Sequence, residues 1–148
     1  MADAPITTED PVAAVTEWFE LMSLYCSTVD FDSARGIFAP HVASFGTQAD
    51  AVRGLGRLQK EQWEQIWPRT KGFRVLMDTV HASGNAGMAW GMATWESMGF
   101  DQEGKSFRRP GRATVVLERI GDRWLALHTH FSLYRGVAQE TYEPPEAP

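Results

Sequence analysis

The chain has 148 residues, 43% hydrophobic and 22% charged, with a net charge of −5. That length supports one domain with a real core. The acidic balance argues against nucleic acid as a partner, because phosphate binding requires a basic patch, and no apolar run reaches the length of a membrane span.

Residues 1–9 read as a flexible arm. Their acidic character lacks the basic-then-apolar order of a signal peptide, so the cytoplasm is the expected location. Asp10 followed by Pro11 is a helix start, with a capping side chain and then a proline at the first helical position. Val15, Trp18, Phe19, Met22, Tyr25, Cys26 and Val29 recur at steps of three and four, one apolar face of a helix to about residue 29. Cys26 is the single cysteine, so an intramolecular disulfide is excluded, and its apolar neighbours suggest a buried, inert thiol. In "DFDSARGIFAP", Asp32 or Ser33 caps a short second helix that Pro40 ends.

"HVASFG" is a short strand candidate, and "GTQAD" is turn-like. A third helix begins near Gly54 or Gly56. Leu55, Leu58, Gln62, Trp63, Ile66 and Trp67 form its stripe, and Pro68 with Gly72 marks its end. "GLGRLQK" lacks the spacing of a phosphate loop. Strands follow at 73–82 and 86–100. The densest basic run, "KSFRRPGR" (105–112), reads as a loop entering the next strand. "GRATVVLERI" turns at Gly121-Asp122 into "RWLALHTHFSLY", a hairpin by its local signals. The Pro- and Glu-rich tail, 136–148, has the composition of a disordered segment. Helices followed by a long antiparallel meander make an α+β domain.

Alternation sorts the strand residues by face. Met88, Trp90, Met92, Thr94 and Glu96 form a bulky set, expected toward the helices. Gly87, Ala89, Gly91 and Ala93 fall on the other face, expected beside Arg112, Thr114, His128, His130 and Ser132. Small residues next to a polar set suit a second sheet or subunit packed there.

"GRATVVLERIGDRWLALHTHFS" resembles the closing hairpin of the SnoaL-like branch of the nuclear transport factor 2-like superfamily. It is also similar to the end of the calcium/calmodulin-dependent protein kinase II association domain, with its final His-x-His-x-Ser. The helix order and "FDSARGIFAPHVASFGT" fit the same family. The resemblance covers residues 10–135. It implies a cone: a curved antiparallel sheet closed by three N-terminal helices around a cavity. It also implies a homodimer through the outer sheet face, but no particular activity, since this fold hosts enzymes and association modules alike. The aspartate of ketosteroid isomerases in this superfamily falls on Gly46, and their tyrosine falls near Met22, one turn from Tyr25. The pocket arginines of the association domain fall near Thr94, Val115 and Phe131.

On these grounds the expected cavity lining is Tyr25, Trp63, Trp67, Met77, Trp90, Thr94, Glu96, Val115 and Phe131. The expected ligand is a small, largely apolar or aromatic molecule, with isomerase, cyclase or hydrolase-type acid/base chemistry open. The rival is a non-enzymatic dimerisation module with a vestigial cavity. No catalytic residue is assigned, and no cofactor is implied. His128 and His130 lack a third ligand for a metal. With Arg112, Thr114 and Ser132 they read as a hydrogen-bonded structural or interface cluster.

Overall fold

A computed structural model describes residues 5–146. Helix α1 (Pro11–Ser27) begins as its first two residues require: the Asp10 carboxylate accepts from the Val12 N–H at 3.0 Å. Trp18 and Phe19 on its inner face are fully buried, and the Trp18 indole donates to the Ile37 carbonyl at 2.9 Å. Helix α2 (Phe31–Arg35) is capped by Asp30, which accepts from the Ser33 N–H. Pro40 lies inside strand β1 (Phe38–Phe45), so the chain is extended earlier than the proline signal suggested. A short strand, β2 (Val52–Arg53), precedes the third helical stretch.

That stretch changes character as it runs. An α turn, α3 (Leu55–Leu58), passes into a π turn (Gln59–Trp63), then α4 (Glu64–Ile66), and ends in a 3-10 turn (Trp67–Arg69). Its inner stripe is the one the sequence shows: Leu55, Leu58, Gln62, Trp63, Ile66 and Trp67 are all buried.

The strands β3 (Lys71–Val75), β4 (His81–Gly84), β5 (Met88–Phe100), β6 (Ser106–Arg108), β7 (Gly111–Ile120) and β8 (Arg123–Leu133) complete the fold. The sheet order is β2-β1-β8-β7-β5-β3, with β4 and β6 also pairing β5. Only the β1–β8 pair is parallel among these pairings. The expected strand over 73–82 is two strands, because a 3-10 turn at Met77–Thr79 interrupts it. The hairpin at Gly121 forms as read, with Gly121 at a φ of 68° that suits glycine. Among the described residues, no helix is long and apolar enough to cross a membrane.

At the chain ends, the described residues of the expected arm and tail include ones that pack on the domain, while residues 1–4 and 147–148 lie outside the described residues. Within the arm, Ile6 is fully buried. Its carbonyl accepts from the Trp124 N–H, and the Trp124 indole bonds the Thr8 carbonyl at 2.7 Å. The tail likewise packs on the domain through residue 142. Thr141 is buried, accepts from the Phe100 N–H at 2.9 Å and donates to the Arg69 carbonyl at 2.7 Å. Backbone groups held this way have no reason to stay loose, whatever the composition.

The faces of β5 are also the reverse of the size-based reading. Ala89, Gly91, Ala93 and Trp95 face the helices, and Met88, Trp90 and Met92 face out, 37%, 41% and 51% exposed. The cause is α1. A Cβ on Gly91 would overlap Val15 Cγ1, so the helix lies too close for any larger side chain. Register carries this face across the sheet: Gly91 is opposite Val115 and Val115 opposite Thr129, all inward. In β8 the register shifts between His128 and Ala126, leaving Leu127 as an extra residue. That bulge brings Trp124 and Ala126 inward as well as Thr129, which strict alternation cannot do.

Candidate functional site

The inner sheet face and the third helical stretch enclose a cavity. It leaves about 40 Å³ open to the centres of water molecules. Its walls are mostly apolar, with Met22, Phe38, Trp63, Trp67, Phe73 and Trp95 prominent among them. Trp63 and Trp67 stack at 4.8 Å between ring centroids, 19° from parallel. Both belong to the segment that winds through the π turn, a distortion common where side chains are re-aimed for function.

Polar groups punctuate this wall, and most are satisfied. Gln62 Oε1 accepts from the N–H groups of Gln48 and Ala49 at 2.7 and 2.8 Å. Its amide donates to Thr47 Oγ1 at 2.9 Å. Gln62 thus fastens the loop after β1 to the helix. Thr129 shares a 2.7 Å bond with Ser44. Ser97 Oγ donates to the Arg109 carbonyl at 2.8 Å, while the Arg109 N–H donates to the Ser97 carbonyl at the same distance.

Arg109 is the exception. It is 1% exposed and lines the cavity, yet it forms no ion pair with any described carboxylate. One terminal nitrogen donates to the Gln139 carbonyl at 3.3 Å, and its Nε has no partner. Burial pushes the guanidinium down to about 10, with Cys26 and then Glu140 pulling the other way, so it stays charged at neutral pH. Cys26 shares the cavity wall, and burial pushes its thiol up, so it is uncharged there. The Trp95 indole Nε1 is likewise buried without a partner. A buried charge left unpaired costs several kcal/mol, which makes this pair of donors a feature to be explained.

The residues proposed from sequence are distributed as follows. Trp63, Trp67 and Phe131 line the cavity. Val115 faces inward but is fully buried in the packed core rather than in the cavity wall. Tyr25 and Met77 are half-buried against the core and do not line it. Trp90 and Thr94 are corrected to the outer face by the close approach of α1. Glu96 is there too, its Oε1 2.7 Å from Arg74 Nη2 in a partly exposed ion pair. Gly46, at the isomerase aspartate position, does line the cavity and supplies no carboxylate.

The five polar residues do share one face. Thr114 is opposite His130, Arg112 opposite Ser132, and Val116 opposite His128. Arg112 Nε donates to Ser132 Oγ at 3.3 Å, and His128 Nδ1 donates to the Ala43 carbonyl at 2.8 Å. Phe45 packs edge-on to both imidazoles. Among the described residues, no three His, Cys, Asp or Glu side chains converge as a metal site would need.

Sequence reasoning missed Arg109, Trp95 and Gln62 as cavity residues. A signal existed for Arg109: counting back from Val115 in twos gives Ala113, Gly111 and Arg109, all on the inward parity.

A helix-covered, curved mixed sheet around a small aromatic cavity defines a class of α+β pocket proteins. The chain belongs to the SnoaL-like domain family, whose model matches residues 12–135. It is similar in structure to a nuclear transport factor 2-like superfamily protein from Salmonella enterica, with a TM-score of 0.71 and 15% identity over 88% of this chain and 96% of that one. It is similar to an uncharacterized cystatin-like-fold protein from Caulobacter vibrioides, with a TM-score of 0.67 and 17% identity over 85% and 91%. The association domain of the C. elegans calcium/calmodulin-dependent kinase II matches with a TM-score of 0.59 and 14% identity over 82% and 92%. At these identities the likeness is one of fold. No curated protein matches the sequence significantly.

Proposed function

We propose that the cavity, closed by the three helical stretches, binds a small, largely apolar or aromatic molecule. The observation that carries this reading is the apolar, aromatic wall around an internal space, with a few inward polar groups, the usual composition of a ligand pocket. The space is below the ~150 Å³ of a dry cavity that takes up benzene, so a ring-sized ligand enters only if the wall gives. No carboxylate or imidazole lines the cavity among the described residues, which favours binding and positioning over acid/base catalysis. Native mass spectrometry of the purified protein tests the reading. A small-molecule adduct that leaves on denaturation is the expected result. An adduct-free protein that also fails to take up small aromatic compounds leaves the reading without support.

The association reading has its own observation. Met88, Trp90 and Met92 expose large apolar surface on the outer sheet face, beside the Arg112–His130 cluster. We propose that this face joins two copies in a homodimer. The two readings are compatible, since the cavity and the outer face lie on opposite sides of one sheet.

A further inference from the structure

We infer that the cavity selects a monoanion, a small carboxylate held by the Arg109 guanidinium and the Trp95 indole N–H against the aromatic wall. The inference rests on the reading of the cavity as a ligand site and names the chemistry that the site takes.

The argument is an account of donors and charge. Arg109 Nε and Trp95 Nε1 are buried donors without acceptors, and both residues line the cavity. Folded proteins leave few such groups unpaired. No described lining side chain accepts from either donor: Gln62 Oε1 takes two backbone N–H groups, Thr129 pairs with Ser44, Thr47 Oγ1 takes the Gln62 amide, and the Ser97 and Thr70 hydroxyls donate to the Arg109 and Trp67 carbonyls. The site therefore has donors in surplus. Among the described residues its only charged lining side chain is Arg109, because the Cys26 thiol stays protonated. One negative charge neutralises that, whereas a doubly charged phosphate would leave an excess charge in an apolar enclosure. A planar carboxylate also matches the guanidinium fork. The small volume and apolar wall limit the rest of the ligand to a compact hydrocarbon body.

The test titrates the intact protein with two size-matched pairs, butyrate against 1-butanol and benzoate against benzyl alcohol, and with inorganic phosphate, following heat by calorimetry. The variants are Arg109→Met and Trp95→Phe, the latter keeping a ring and deleting the N–H. In the unaltered protein the carboxylate of at least one pair binds about tenfold or more tightly than its alcohol, the size of a charge-assisted hydrogen bond. Arg109→Met closes that gap, and Trp95→Phe narrows it without weakening the alcohol. If the alcohols bind as well as the acids, if phosphate binds best, or if the gap survives Arg109→Met, the anion assignment is overturned while the pocket stands. If no titrant binds up to roughly 10 mM, the pocket reading falls with it. Circular dichroism checks that Arg109→Met folds; if it does not, an unchanged gap in Trp95→Phe overturns the assignment and a narrowed gap sustains it.

Discussion

Gly91 decides which way a whole strand faces. Its missing side chain is where Val15 of α1 sits, so a Cβ there must displace the helix or a branched methyl. Gly91→Ala is expected to destabilise the fold by about 1–3 kcal/mol, the usual cost of overpacking, read as a lower urea midpoint. Val15→Ala in the same chain removes the methyl in the way. The double variant is then less destabilised than the sum of the two single ones, and strict additivity would show that the contact is not the cause. The same residue explains why the candidate site was only partly legible. Trp63 and Trp67 announce themselves through helical spacing. Bulk predicts burial for Trp90 and Thr94, yet both face outward, because a helix lying close to a sheet demands small residues beneath it. Arg109 sits in a basic run that reads as a loop entering a strand; its parity with Val115 marks it as inward, but the closure of the tail and β5 over it depends on distant contacts.

At the scale of elements, α1 ends in a way that leaves stability unused. The Asp30 N–H bonds the Tyr25 carbonyl at 2.8 Å and the Val29 N–H bonds the Cys26 carbonyl at 3.2 Å, a Schellman pattern. Val29 occupies its left-handed position with a φ of 53°, where glycine is the usual residue. The left-handed conformation costs an L-residue roughly 1–2 kcal/mol. Glycine gives back about 0.5–1 kcal/mol through the freedom it gains in the unfolded chain. Val29→Gly is therefore expected to raise stability by roughly 0.5–1 kcal/mol. A midpoint that falls instead would show that the partly exposed valine contributes more by packing than it loses in strain. The elements themselves were largely legible: the Asp10-Pro11 start, the stripe of the third helix and the Gly121 hairpin each follow from local chemistry. The break at Met77–Thr79 and the bulge at Leu127 were not, since both are set by pairing with distant strands.

At the scale of the molecule, the outer sheet face carries the remaining question of assembly. A sheet face covered by solvent normally alternates toward polar side chains, yet Trp90 and Met92 project there beside Val116, Thr114 and His130. Apolar side chains gathered within a polar rim are what a self-complementary two-fold interface presents. The protein is expected to sediment as a dimer at micromolar concentration. Replacing Trp90 and Met92 together with Glu places two like charges per copy in the centre of that contact, and this variant is expected to sediment as a monomer. Both side chains are exposed in the single chain, so its circular dichroism should stay unchanged. The cavity lies on the opposite face, and carboxylate binding in the monomer is expected to match that of the dimer. A variant that remains dimeric would move the interface elsewhere, and loss of binding on dissociation would mean that the second copy holds the helices or the tail in the closed arrangement around Arg109.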